Sequence, residues 1–203
     1  AFNRVRTVTE PGTLGVTTYA YDAHGNLASV TDAEDHVTAY AFDDMGRVLG
    51  VTSPDSGLTQ FRYDAAGNLI RKTDALGVAV VYAYDELNRV VSESFPDASE
   101  DVAYTYDAGP NGLGRLTGIS DASGVTALAY DARGRLAGKT STVSGQAYEV
   151  SRVHTAAGRL KHLVYPTGYT VEYARGVDGK VASAKRTFPN RATHTFLKDM
   201  TFK

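Results

Sequence analysis

Cysteine and tryptophan are both absent from this 203-residue chain, and methionine occurs only twice. Without thiols, no disulfide framework and no thiolate metal site can form within it. No apolar run approaches the roughly 20 residues that a membrane-spanning helix needs. Amphipathic helical stretches and low-complexity segments are missing too. The formal net charge is only -2, but it hides an asymmetry. Residues 1 to 150 carry 11 basic and 20 acidic residues, a net of -9, whereas residues 151 to 203 carry 10 basic and 3 acidic, a net of +7. Arg159, Arg175 and Lys180 sit at regular intervals rather than in one basic run. The two parts are therefore expected to face each other, or neighbouring repeats, and not nucleic acid.

What the chain has in abundance is tyrosine (13 residues), glycine (20) and a Tyr-Asp pair at a nearly constant interval. The pair stands at Tyr21-Asp22, Tyr63-Asp64, Tyr84-Asp85, Tyr106-Asp107 and Tyr130-Asp131, with Phe42-Asp43 as a near copy. Degraded copies are read at Val153-His154 and Tyr173-Ala174. Three residues past most of these Asp comes Gly, then Asn or Arg, then an aliphatic residue. Gly25-Asn26-Leu27, Gly46-Arg47-Val48, Gly67-Asn68-Leu69 and Gly134-Arg135-Leu136 show it, as do Gly158-Arg159-Leu160 and Gly179-Lys180-Val181. Asn88 replaces Gly before Arg89-Val90, and asparagine is the residue that best tolerates positive φ after glycine. Gly109-Pro110-Asn111-Gly112 lengthens one loop. A second turn follows half a unit later, as at Pro54-Asp55-Ser56-Gly57, Asp74-Ala75-Leu76-Gly77, Asp121-Ala122-Ser123-Gly124 and Tyr165-Pro166-Thr167-Gly168.

The stretch before each pair alternates with period two. Thr17, Tyr19 and Tyr21 share one face and Thr18 and Ala20 the other; Thr38, Tyr40 and Phe42 alternate likewise with Ala39 and Ala41. Aromatic and β-branched residues in that rhythm predict strands. A unit of about 21 residues cannot bury a core alone, so each is stabilised by its neighbours. The aromatics of successive units are expected to stack in rows. The return strand leaves a choice open: Leu27 and Val30, Val48 and Val51, Leu116 and Ile119, and Leu160 and Leu163 are each three apart. They lie on opposite faces, or a bulge reunites them. The Asp of each pair is expected to cap backbone N–H groups of its turn. The Arg or Asn after Gly is expected to reach an Asp of the adjacent turn.

Chemistry-bearing patterns are sparse. Asp32, Glu34 and Asp35 crowd one turn and Asp43-Asp44 is a carboxylate pair, yet neither forms an EF-hand loop or a calcium-binding nonapeptide. His24, His36, His154, His162 and His194 show no H-E-x-x-H spacing. Gly109 to Gly114 lacks the Lys-Ser/Thr ending of a phosphate loop, and no G-x-S-x-G elbow occurs. The expectation is no catalytic, cofactor-binding or metal-binding residue, no cofactor, and no enzyme activity.

The pattern Y-D-x-x-G-[N/R]-L, followed by V-T-x-x-x-G, resembles the Rhs/YD-repeat family over essentially the whole chain. The resemblance implies an all-β fold: tandem antiparallel hairpins forming a curved or spiralling sheet, a segment of a hollow shell. In bacterial members such a shell encloses a toxic C-terminal domain and ends in a self-cleaving segment with an Asp-Pro-x-Gly motif. No Asp-Pro-x-Gly occurs in this sequence, so no catalytic residue carries over. Residues 1–203 are read as a single array excised from a longer shell. Phe2-Asn3-Arg4-Val5 echoes Leu87-Asn88-Arg89-Val90 in mid-unit, and Met200-Thr201-Phe202-Lys203 reads as a strand cut short. The implied partners are the rest of the shell and an enclosed effector, with self-association through sheet edges, in a secreted or cell-surface protein. The alternative is an adhesion module contacting glycans or a cell-surface partner through its aromatic rows and loops.

Overall fold

The computed structural model describes residues 3–12, 15–190 and 192–197. Phe2 and the segment Met200 to Lys203, read from sequence as cut strands, lie outside them. Two compact units divide the chain, Ala1–Asp101 and Val102–Lys203.

The first unit is built from β1 (Thr7–Thr9), β2 (Val16–Tyr21), β3 (Leu27–Thr31), β4 (Val37–Phe42), β5 (Val48–Ser53), β6 (Gly57–Tyr63), β7 (Leu69–Thr73), β8 (Ala79–Tyr84) and β9 (Val90–Ser94). The second holds β10 (Val102–Tyr106), β11 (Leu116–Asp121), β12 (Gly124–Tyr130), β13 (Leu136–Val143), β14 (Gln146–His154), β15 (Leu160–Val164), β16 (Thr170–Arg175), β17 (Val181–Thr187) and β18 (Thr193–Leu197). Within each unit every strand pairs antiparallel with the next in sequence. The fold is all-β, as the alternation predicts. Among the described residues the helical content is one 3-10 turn, Ala98–Glu100, whose N-terminus Asp97 caps through the Ser99 N–H at 2.9 Å.

Positive φ supports the turns where the sequence places glycine: Gly25 at 92°, Gly67 at 92° and Gly134 at 73°, with Asn88 substituting at 58°. The Asp22 N–H bonds the Asn26 carbonyl at 2.9 Å and the Gly25 N–H bonds the Asp22 carbonyl at 3.1 Å, closing a three-residue loop that ends on a left-handed glycine. Only a residue without Cβ takes that conformation freely.

Beyond the turn, register settles the face of the return strand. Tyr21 opposes Leu27 and Ala20 opposes Ser29, so Ala28 is an extra residue. The same slip separates Ala41 from Phe42, Arg62 from Tyr63 and Ala83 from Tyr84. In the second unit it recurs at Tyr106, Tyr130, His154 and Arg175. A bulge therefore returns Leu27 and Val30 to one face, where they oppose Tyr21 and Tyr19.

This register also corrects the expected aromatic rows. Tyr40 opposes Val51, Phe42 opposes Val48, Tyr104 opposes Ile119 and Tyr106 opposes Leu116. Each of these aromatics thus packs against an aliphatic across the hairpin, a pairing worth about 0.2–1 kcal/mol, whereas Phe61 opposes Lys72 and Tyr82 opposes Glu93. The aromatics of successive units sit two strands apart, or roughly 9.5 Å, because adjacent strands are spaced about 4.8 Å.

The aromatic face is half-buried, whereas the face of Val37, Ala39 and Ala41 is exposed. Val171 and Ala184 are the only buried apolar side chains among the described residues. Cohesion in each unit comes from strand ladders and from joints between successive hairpins.

Candidate functional site

Those joints are built by the recurring residues. Asp43 Oδ1 accepts the Met45 and Arg47 N–H groups, both at 2.9 Å, and its Oδ2 takes Arg47 Nε at 2.6 Å. Asp85 holds Leu87, Arg89 and the Arg89 guanidinium in the same way, the last at 2.7 Å. Asp131 does so with Arg133 and Arg135, also 2.7 Å to Nε. In the asparagine versions, Asp22 and Asp64 accept both the backbone and side-chain N–H groups of Asn26 and Asn68 at 2.8–2.9 Å. The expectation that this Arg or Asn meets a carboxylate of the next turn is therefore corrected. It clasps the Asp of its own turn, four residues back, because the tight loop brings the two within reach.

These bonds hold the carboxyls below the usual carboxylate value. For Asp22 and Asp64 the leading cause is the asparagine side chain, and for Asp43 and Asp85 it is the arginine backbone N–H. The Arg135 side chain, aided by turn N–H groups, lowers Asp131 to about 2.

The guanidinium also reaches forward to the backbone of the next hairpin, with one edge tied to its own Asp in Arg47 and Arg135 and to the Asn111 and Leu113 carbonyls in Arg115. Arg47 Nη1 donates to the Asp64 carbonyl at 3.4 Å, Arg115 Nε to Gly134 at 3.2 Å and Arg135 Nη1 to Thr155 at 3.1 Å. The guanidinium carbon lies 4.9 Å from the ring centre of Tyr63 for Arg47, and 5.6 Å from that of Tyr130 for Arg115. A Cβ on Gly134 would collide with Arg115. Glycine there serves both the left-handed turn and the approach of the neighbouring arginine.

The tyrosine hydroxyl completes the joint. Tyr63 donates to the Val48 carbonyl at 3.0 Å, Tyr84 to Leu69 at 2.9 Å and Tyr130 to Leu116 at 2.6 Å. Tyr21 donates to Val5 at 2.9 Å. For Tyr63, Tyr84 and Tyr130 the carbonyl belongs to the aliphatic residue opening the previous return strand, and for Tyr21 to Val5, two residues before β1. Sequence reasoning missed this bond, although the interval of 14 to 16 residues from that aliphatic to the next tyrosine was a visible signal. Phe42 has no hydroxyl with which to make it.

The register reassigns the degraded copies. His154, not Val153, opposes Leu160 in the tyrosine place, and Thr155 takes the Asp place, its Oγ1 accepting the Arg159 N–H at 3.2 Å. Arg175, not Tyr173, opposes Val181. Its Nη2 donates to the Leu160 carbonyl at 3.4 Å, standing in for the tyrosine hydroxyl. His154 is half-buried, its Nδ1 has no hydrogen-bond partner, and Asp131 Oδ2 lies 3.9 Å away.

The other polar candidates are local. Asp32 Oδ1 accepts the Glu34 and His36 N–H groups at 2.9 Å, so this acidic turn is capped like the rest. His24 and His36 lie in turns, whereas His162 and His194 lie on β15 and β18. Among the described residues no group of three or more His, Asp or Glu is placed to hold a metal ion. No described helix is long and apolar enough to cross a membrane.

These features define a class: a tandem β-hairpin repeat protein whose recurring side chains serve the joints between hairpins. The RHS Repeat family model matches residues 1–36, 21–58, 63–100 and 111–147, more than half of the sequence. The chain belongs to the RHS repeat family. It is similar in fold to the crystal structure of TcdB2-TccC3, with 18% identity and a TM-score of 0.83 over 97% of this chain and 12% of that one. TcdB2-TccC3 without its hypervariable C-terminal region gives a TM-score of 0.82 at 18% identity, again over 97% of this chain and 12% of the other. The Photorhabdus luminescens Tc holotoxin pore gives 0.80 at 18% identity, over 97% and 11%. This chain thus spans only about an eighth of the length of these structures. No curated protein matches it.

Proposed function

We propose that residues 1–203 are one repeat array in the wall of an encapsulating β-shell, part of a bacterial Rhs-type toxin or surface protein that is secreted or displayed at the cell surface. The rest of the shell is its principal partner and a C-terminal effector is the cargo. The observation carrying this reading is the commitment of the recurring Tyr, Asp, Arg and Asn side chains to joints between hairpins. Residues so engaged build a wall and are not free for chemistry, so no enzymatic role is assigned. Membership of the RHS repeat family and the fold shared with TcdB2-TccC3 support it, as does the hypervariable C-terminal region named for that protein, which fits an exchangeable cargo. The adhesion reading is disfavoured, because Tyr21, Tyr63, Tyr84 and Tyr130 spend their hydroxyls on neighbouring carbonyls.

The test is limited proteolysis of the full parent protein beside its separately expressed C-terminal portion. Enclosure predicts that the C-terminal portion survives, within the intact protein, a protease dose that degrades it alone. Equal cleavage rates would refute it.

A further inference from the structure

One cavity stands apart from the joints. It lies at the turn between β15 and β16, has a volume of about 270 Å³, and is lined by Tyr165, Tyr169, Val171, Arg186, His194 and Phe196. The turn differs from its counterparts: where Asp32 and Asp74 begin equivalent turns, Tyr165 begins this one. Tyr165 and Tyr169 flank Gly168, at φ 80°, and their rings stack at 4.5 Å with 20° between planes. Register then places Arg186 opposite both Val171 and His194, so strands β16 to β18 bring an apolar floor and two nitrogen-bearing side chains to one place.

Arg186 is unlike the Asp-clasped arginines of the joints. Arg47, Arg89 and Arg135 are held by an Asp four residues back, whereas Arg186 has no carboxylate partner among the described residues and its Nε, like that of Arg175, is buried without a hydrogen-bond acceptor. Its guanidinium is held between rings, 4.3 Å from the centre of Phe188 and 5.9 Å from that of Tyr169. The acidic residue of β16, Glu172, cannot serve it. Glu172 alternates with Val171 and pairs in register with Lys185 and His162 on the opposite face. The surrounding sequence, residues 151 to 203, is also the part with the net of +7. Arg186 is half-buried, so an anion brought to its guanidinium forms a charge-assisted bond in a partly desolvated place, without competition from a described carboxylate. The aromatic walls add a preference for a ring, since aromatic faces pack on planar π systems and on the C–H faces of sugars. The volume, at the lower end of ligand sites, suits a single ring.

We propose that this pocket binds a carboxylate borne on a single six-membered ring, with Arg186 pairing the carboxylate, Tyr165, Tyr169 and Phe196 packing the ring, and Val171 forming the floor. An acidic sugar and an aromatic acid both present that chemistry. The proposal is independent of the shell reading, which needs only the joints.

The experiment is a titration of the ¹⁵N-labelled 203-residue chain, followed by NMR. Glucuronate represents the acidic sugars and para-hydroxybenzoate the aromatic acids; glucose and phenol are their neutral counterparts. Saturable shifts are expected at the amides of Tyr169, Val171 and Arg186 with at least one acid, and binding about tenfold weaker or more for its neutral counterpart. Response to glucuronate alone identifies the sugar source, and response to para-hydroxybenzoate alone the aromatic one. Arg186→Gln should weaken the bound acid about tenfold and leave the neutral compound unchanged. The acid-versus-neutral comparison on the unaltered chain decides the matter even if that variant misfolds. Absence of shifts at these amides with both acids, or equal affinity for acid and neutral forms, would overturn the proposal.

Discussion

Phe42→Tyr should stabilise the protein by adding one hydroxyl. In the neighbouring hairpins the tyrosine in that place donates to the carbonyl of an aliphatic residue 15 positions upstream, Tyr63 to Val48 at 3.0 Å and Tyr84 to Leu69 at 2.9 Å. The equivalent acceptor for position 42 is the Leu27 carbonyl, since Phe42 opposes Val48 just as Tyr63 opposes Leu69. Tyr84 is the closest precedent, because the turn residue before each is asparagine, Asn26 for Phe42 and Asn68 for Tyr84. A partly buried hydrogen bond exchanged for water contributes about 0.5–1.5 kcal/mol. Should Ala1–Asp101 melt as its own unit, ~1 kcal/mol raises Tm by about 4–8 °C; should all 203 residues melt together, the rise is about 2–4 °C. Tyr63→Phe should lower stability by a similar amount. Calorimetry measures both shifts. Amide hydrogen exchange locates them, because a repeat array opens locally and only the hairpins flanking the joint should change protection. If Tyr63→Phe is destabilising and Phe42→Tyr neutral, the two positions are not equivalent. If neither matters, the hydroxyl bond is not a joint.

Acid should unfold the array through its turn carboxylates. Asp22, Asp43, Asp64, Asp85 and Asp131 are held below their unfolded value of 3.8, Asp131 to about 2, so their contribution is complete above about pH 4 and lost as pH falls toward about 2. Far-ultraviolet circular dichroism against pH should show that transition, and Asp131→Asn should shrink the loss; a pH-independent signal over that range would contradict the capping role. Gly67→Val should cost about 1–3 kcal/mol and Ala66→Val much less. Gly67 stands at φ 92°, where a β-branched residue is strained, and Ala66 is exposed with no such demand. Equal denaturation midpoints for the two variants would refute the assigned turn.

The chain's own sequence determined the strands, the turns and the repeat length. Alternation such as Thr17, Tyr19, Tyr21 and glycines such as Gly25 act locally, through pleat geometry and steric freedom at a single residue. That the Asp of each pair caps the N–H groups of its own turn was legible too, since Asp, Gly and Asn or Arg keep one spacing in most units. Other features were not local. Leu27 and Val30 share a face only because a bulge shifts the pairing of β3 with β2, and an interval of three cannot announce that. The direction of Arg47, back to Asp43 and forward to the Asp64 carbonyl, depends on where the next hairpin lies. His154 and Arg175 replace tyrosine by register, although alignment on the nearest aromatic or hydrophobic residue favoured Val153 and Tyr173. The pocket around Arg186 assembles residues from a turn and three strands, in a unit with two buried apolar side chains among its described residues. Tertiary structure decided these features because hydrogen-bond register, and not side-chain identity, sets which residues of separate hairpins meet.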